Sequence, residues 1–184
     1  FFGENMLRAD VCNSVDELGQ LLDHTGPIAQ SERNAARIFN ADHLFFVTNG
    51  TSTSNKIVWH STVAPGDVVL VDRNCHKSVI HSITMMGAIP IFLMPTRNHL
   101  GIIGPIPKEE FEWKNIKKKI DANPFIKDKN VVPRVMTLTQ STYDGVLYNT
   151  ETIKGMLDGY VENLHFDEAW LPHAAFHPFY GTYH

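Results

Sequence analysis

Short apolar runs separated by helical stretches constrain this chain more than any other feature. The runs are 43-HLFFVT-48, 67-DVVLVD-72, 89-IPIFLMP-95, 134-RVMTLTQ-140 and 162-ENLHFDEA-169. Between them lie 51-TSTSNKIVWHST-62, a segment over 75–86 closed by Gly87, a charged helix over 108–121, and 150-TETIKGMLD-158. Strands alternating with helices predict a parallel sheet covered on both faces, a three-layer α/β/α architecture. Ahead of these, 14-SVDE-17 has the form of a capping box, predicting a short helix over 18-LGQLLD-23 that stops at 26-GP-27. A second helix is expected over Gln30–Phe39, with Ala35, Ala36, Ile38 and Phe39 as its apolar positions. The turn 64-APGD-67 precedes the second apolar run.

The chain has 184 residues, enough for one domain with a real core. A net charge of −4 does not favour nucleic acid, and the basic run 117-KKK-119 reads as the solvated face of a helix. No apolar stretch approaches the roughly 20 residues that a membrane helix needs. The start Phe-Phe-Gly-Glu-Asn carries no initiating Met and no signal-peptide pattern, as expected of a piece cut from something longer. Cys12 and Cys75 form no disulfide framework and have no zinc spacing, so a reducing cytoplasm is the expected location.

In an open parallel sheet, ligands bind at the carboxyl ends of the strands. Four places qualify. In 48-TNGTSTSN-55, hydroxyl residues open a helix whose start presents free N–H groups, which suits a phosphate monoester; plain helix capping is the alternative. In 71-VDRNCHKSV-79, His76 begins a helix, where an imidazole can stack on a flat ligand or move a proton, or simply make structural hydrogen bonds. Cys75 reads as a packed small hydrophobe, and Lys77, about 100° from His76 around a helix, is expected to face solvent or an ion pair. In 139-TQSTYDGVLYN-149, Gln140, Ser141 and Thr142 could meet a phenolic or carbonyl oxygen, while Asp144-Gly145 is ordinary turn chemistry. In 165-HFDEAW-170, Asp167 ends a buried strand, and a buried carboxylate needs a cationic or hydrogen-bonding partner.

A phosphate cradle, a stacking group, an oxygen-binding loop and a buried carboxylate together suit pyridoxal 5'-phosphate, whose ring nitrogen a carboxylate keeps protonated. The stretches 21-LLDHTGPI-28, 47-VTNGTSTSNKIV-58, 71-VDRNCHKS-78, 95-PTRNHLGIIGPI-106, 141-STYDGVLYN-149 and 164-LHFDEAW-170 resemble the bacterial Orn/Lys/Arg decarboxylases of the aspartate-aminotransferase fold. The resemblance covers essentially the whole chain. It implies that Thr51 and Ser52 bind the cofactor phosphate, that His76 stacks on the ring, and that Asp167 pairs with the ring nitrogen. It further implies that Ala169 leaves room on the other face, that Trp170 lies near the cofactor, and that Thr142 meets the phenolic oxygen.

By the same resemblance, residues 1–30 are a linker and arm, and 31–184 an incomplete cofactor-binding domain. The family's Schiff-base lysine, in a Ser-x-His-Lys motif, lies downstream of His184, so the 184 residues alone are expected to be inactive. A basic amino acid is the implied substrate, lysine before arginine or ornithine. A homodimer with shared active sites, assembled further into a decamer, is the implied state, with 101-GIIGPIP-107 and the apolar early segment as dimer surfaces.

Two other readings exist. His165, Asp167, His173, His177 and His184 offer metal-ligand chemistry, although Pro172 and Pro178 interrupt any helix between them. The chain could also be a non-catalytic half-domain that pairs with another chain.

Overall fold

The computed structural model describes residues 3–9 and 14–183. Cys12 and His184 lie outside them. The chain divides into two units between Thr48 and Asn49.

In the first unit, helix α1 spans Gly3–Ala9 and helix α2 spans Gly26–Ile38. The expected helix over 18–23 is absent: only a 3-10 turn forms at Asp16–Leu18, with no side-chain cap. The reason is a close approach of backbone. A Cβ on Gly19 would lie 2.1 Å from the Thr25 carbonyl oxygen, and one on Gly26 would lie 2.9 Å from Gly19 Cα. The chain doubles back on itself there, which only glycines allow. Gly26-Pro27 therefore starts α2 rather than stopping a helix, because proline fits the first turn, where an N–H has no partner to lose. Of the four apolar positions expected on this helix, only Ala36 is buried; Ile38 and Phe39 are nearly half exposed. The predicted strand over 43–48 is also absent. Phe45 is 63% exposed, and the Phe46 N–H donates to the Glu32 carboxylate at 2.9 Å instead of to a strand. His24 Nδ1 meets the other Glu32 oxygen at 2.8 Å.

The second unit holds the sheet. Helix α3 spans Thr51–Thr62, followed by β1 (Val68–Asp72), α4 (Lys77–Met86), β2 (Ile89–Leu93), α5 (Trp113–Ala122), β3 (Val135–Thr139), α6 (Thr150–Leu157) and β4 (Asn163–Asp167). The four strands pair in parallel in the order β2-β1-β3-β4. Pro90 sits in β2, an edge strand, where a missing donor costs least. Gly87 closes α4 in the left-handed conformation, as expected.

Both sheet faces are covered. Val69 and Val71 of β1 pack with Trp59, Val63, Val79, Ile83 and Val135. Val68 and Leu70 pack on the opposite face with residues of α5 and α6, among them Ile116, Ile120, Ile153 and Leu157. Successive side chains of a strand point to opposite faces, so β1 feeds two cores and is buried along its whole length. The lysine run is less solvated than expected. Lys117 pairs with Asp121, and Lys119 pairs with Glu110 and donates to the Phe92 carbonyl at 2.9 Å.

Candidate functional site

Parallel pairing brings the carboxyl ends of β1, β3 and β4 to one edge of the sheet. A cavity of about 570 Å³ opens there. Thr51, Ser52, His76, Thr142, Asp167, Ala169 and Trp170, all singled out from the sequence, line it together. Thr139, Ser141 and Tyr143 from the β3 end and Asn55, Asn74, Cys75 and Lys77 from α3, the β1–α4 loop and the start of α4 complete the wall.

Gly50 starts α3 at φ 76°, a left-handed conformation suited to glycine, and no side chain caps the helix. The first intrahelical acceptor, the Gly50 carbonyl, takes the N–H groups of Thr53 and Ser54. The N–H groups of Thr51 and Ser52 precede that ladder and stand with their hydroxyls at the cavity wall, at the positive end of the helix dipole.

His76 caps α4 rather than lying within it: its backbone is extended, and its Nδ1 accepts from the Ser78 N–H at 3.2 Å. The 100° separation expected between His76 and Lys77 assumes helical backbone at both positions. With His76 at the cap, Lys77 lines the same cavity while staying exposed.

Asp167 is 4% exposed, and both of its oxygens are engaged. Oδ1 accepts the Ala169 N–H at 3.3 Å, and Oδ2 accepts Asn55 Nδ2 at 2.8 Å. Asn55 also donates to Ser78 Oγ at 3.0 Å, and Ser78 Oγ lies 2.8 Å from His76 Nδ1. A hydrogen-bonded path therefore runs from Asp167 through Asn55 and Ser78 to His76.

On the β3 side, Thr142 Oγ1 accepts the Val146 N–H at 3.2 Å and bounds the cavity. Gln140 does not reach the cavity. It is fully buried, with Nε2 donating to the carbonyls of Tyr148 and Tyr183. Side chains alternate along an extended backbone, so Thr139 and Ser141 take the cavity face and Gln140 the core. Buried Ser141 Oγ and Thr139 Oγ1 have no hydrogen-bond partner. Unmet polar groups facing a cavity favour a polar ligand over an empty space.

Burial shifts three titratable groups near the cavity. It pushes the Asp72 carboxyl up, opposed by the Asn74 N–H, which donates to Oδ1 at 2.7 Å. Burial, with the field of Asp72, pushes the Cys75 thiol up to about 12. Burial lowers the His165 imidazole, with Asp167 opposing; its Nδ1 lies 3.1 Å from Thr137 Oγ1, which also accepts Trp59 Nε1–H at 3.1 Å.

The described histidines of the C-terminal stretch do not gather. Among the described residues, no three His, Cys, Asp or Glu side chains come together as a metal site. His173 lies in a 3-10 helix over Pro172–Phe176, and His177 Nδ1 accepts the Phe179 N–H at 3.2 Å. Among the described residues, no helix is long and apolar enough to cross a membrane.

Asn55 and Ser78 are the site residues that no local sequence signal marks. Each reads as an ordinary helical polar residue until the fold places it, 1% and 2% exposed, beneath the cavity.

Residues 1–183 match the Orn/Lys/Arg decarboxylase major-domain family. The chain is 61% identical over 184 residues to lysine decarboxylase LdcA of Pseudomonas aeruginosa PAO1, covering all of this chain and 24% of that protein. It is 51% identical over 180 residues to the constitutive lysine decarboxylase of Escherichia coli K12, covering 98% of this chain and 24% of the relative. The solved structure of lysine decarboxylase A from Pseudomonas aeruginosa superposes with a TM-score of 0.92 over the whole chain and 25% of its own length. The chain thus spans about a quarter of the length of the curated relatives it matches.

Proposed function

The chain belongs to the Orn/Lys/Arg decarboxylase family, and from that premise we propose that it supplies the phosphate, ring and ring-nitrogen contacts for pyridoxal 5'-phosphate in a decarboxylase of basic amino acids. One observation carries this reading: Thr51, Ser52, His76 and Asp167 line a single cavity, with Asp167 buried at its wall. Lysine stands first as substrate, because the two curated relatives described above are lysine decarboxylases.

The residues fit the cofactor. The free N–H groups and hydroxyls at the start of α3 offer donors and a positive dipole end to a phosphate. Asp167 already accepts two hydrogen bonds, an arrangement that fixes the orientation of the carboxylate. Next to a ring nitrogen, it keeps a proton there. His76, fixed through Nδ1, offers its ring face to a flat ligand, and Ala169 gives room opposite. Thr142 and the unpartnered Ser141 hydroxyl are the donors for a phenolic oxygen or a substrate carboxylate. Tyr143 and Trp170, edge to face at 4.8 Å, form an aromatic pair on the cavity wall. When bound, the cofactor supplies the electron sink that stabilises the carbanion left as carbon dioxide departs.

The family's Schiff-base lysine falls outside residues 1–184 in this reading, so the 184 residues by themselves bind the cofactor weakly and turn nothing over. Residues recognising the distal amine come from further along the chain or from a second subunit of a cytoplasmic homodimer, assembled in turn into a decamer.

The test is a polypeptide of the relatives' length carrying this sequence, assayed with lysine, arginine and ornithine for carbon dioxide and amine. Release of cadaverine in preference to agmatine or putrescine is expected. Absence of a cofactor absorbance band, or of carbon dioxide from all three, refutes the reading.

A further inference from the structure

We propose that Asn55 is a positioning residue that fixes Asp167 and His76 together, so that the orientation of one depends on the other. The proposal rests on the pyridoxal-phosphate reading for its purpose, while the geometry stands without it. Asn55 lies in the second turn of α3, 1% exposed, and its amide nitrogen donates to Asp167 Oδ2 at 2.8 Å and to Ser78 Oγ at 3.0 Å.

An amide nitrogen has two hydrogens, and here each has its own acceptor. Because Asn55 occupies Ser78 Oγ as a donor, the serine's own hydrogen is free to point elsewhere. His76 Nδ1 is 2.8 Å away, and it also accepts the Ser78 N–H. Two donors therefore converge on Nδ1, which leaves the ring hydrogen on Nε2. The ring plane is set by that pair of bonds, and Ser78, fully buried, cannot follow a moving ring. Asp167 is fixed in the same way, with Oδ1 on the Ala169 N–H and Oδ2 on Asn55.

A single amide thus sets the carboxylate and, through one hydroxyl, the imidazole. Leucine at this position has nearly the same shape and no donor. Aspartate would also place a second carboxylate against Asp167, so leucine is the cleaner probe. Ser78→Ala cuts only the His76 arm.

The experiment uses the pyridoxal-phosphate-loaded protein of the relatives' length, in wild-type, Asn55→Leu, Ser78→Ala and doubly substituted forms. Three readouts are taken: cofactor release after dilution into a trap, induced circular dichroism of the cofactor band, and crystal structures. Asn55→Leu is expected to release cofactor about tenfold faster, since one hydrogen bond to a charged group is lost. Ser78→Ala is expected to change the circular dichroism and leave release within about twofold, because Asp167 keeps its donor. The double variant should match Asn55→Leu in dichroism, since both changes cut one path.

Additive dichroism changes, or an Asn55→Leu protein with wild-type release and dichroism, overturn the proposal. A wild type that binds no cofactor, by contrast, sinks the functional reading. In that case the crystal structures decide: Asp167 and His76 both displaced in Asn55→Leu supports the coupling, and either one unmoved overturns it. Should Asn55→Leu not fold, His76 unmoved in Ser78→Ala overturns it alone.

Discussion

Replacing Trp59 with phenylalanine tests how α3 is held against the sheet, and with it the placement of Thr51, Ser52 and Asn55. The indole is fully buried among Val63, Val69, Val71, Val79, Ile83 and Val135. Its Nε1–H donates to Thr137 Oγ1 at 3.1 Å. Phenylalanine keeps most of the buried surface but loses part of a ring, about 1 kcal/mol of transfer energy. The lost hydrogen bond adds about 1 kcal/mol net. Trp59→Phe should therefore destabilise by about 2 kcal/mol. Thr137→Val keeps the shape but strands the indole N–H, at a cost of about 1–3 kcal/mol. Combining the two removes donor and acceptor at once, so the double variant should fall short of the sum by about 1 kcal/mol. Urea denaturation followed by far-ultraviolet circular dichroism at pH 8 measures this, with unchanged m-values as the control. Costs that add to within about 0.3 kcal/mol would show that the contact contributes nothing as a pair.

Three further outcomes follow from the same structure. Burial lowers His165, so between that lowered value and the unfolded value of about 6.5 the unfolded state binds more protons; stability is full above this window and declines as pH falls through it. Asp72, raised by burial, works with the opposite sign, so the readout is the difference between wild type and His165→Asn across pH 5–8; identical slopes would refute it. Gly50→Ala meets no atom within 4 Å, so its cost of about 1–2 kcal/mol is backbone strain at φ 76°, and denaturation together with a cofactor titration should show lower stability and weaker binding. Cys75, with a thiol near 12, should react with iodoacetamide at pH 8 at least about a hundredfold more slowly than a free cysteine, measured on the Cys75 peptide by mass spectrometry.

The sheet was legible because its signals are local. Val68–Asp72 and Ile89–Leu93 are apolar runs whose neighbours in sequence are helices, and parallel pairing follows from that alternation. The site residues near strand ends were legible for the same reason: His76, Thr142 and Asp167 lie just past or at the ends of β1, β3 and β4, and three parallel strands end on one side. In the first unit the helix over 30–39 was legible, but the turn before it was not, because that turn depends on two glycines meeting across a tight loop, and no periodicity encodes that. The run at 43–48 has strand composition without a strand partner among the described residues, and composition alone cannot supply one. Asn55 escaped because its partners are 23 and 112 positions away in sequence.

Helix α3 therefore does more than offer its start to a phosphate. Asn55 and Trp59 are four residues apart on one face, and each donates to a hydroxyl on a neighbouring element, Ser78 Oγ and Thr137 Oγ1. Each hydroxyl in turn lies against the Nδ1 of a histidine, His76 at 2.8 Å and His165 at 3.1 Å. Both relays therefore tie α3, through one hydroxyl each, to a histidine ring that lies near Asp167 in the fold. This matters at Asp167. A cation on the His165 ring would compete for the field of that carboxylate and weaken its hold on a proton at the cofactor nitrogen. For His165, burial already opposes the pull of Asp167 and outweighs it. On the proposed function, burial of His165 leaves the Asp167 charge to the ligand while Asn55 of α3 orients the carboxylate, so the face of α3 that packs on the sheet shapes the chemistry as much as the end that meets the phosphate.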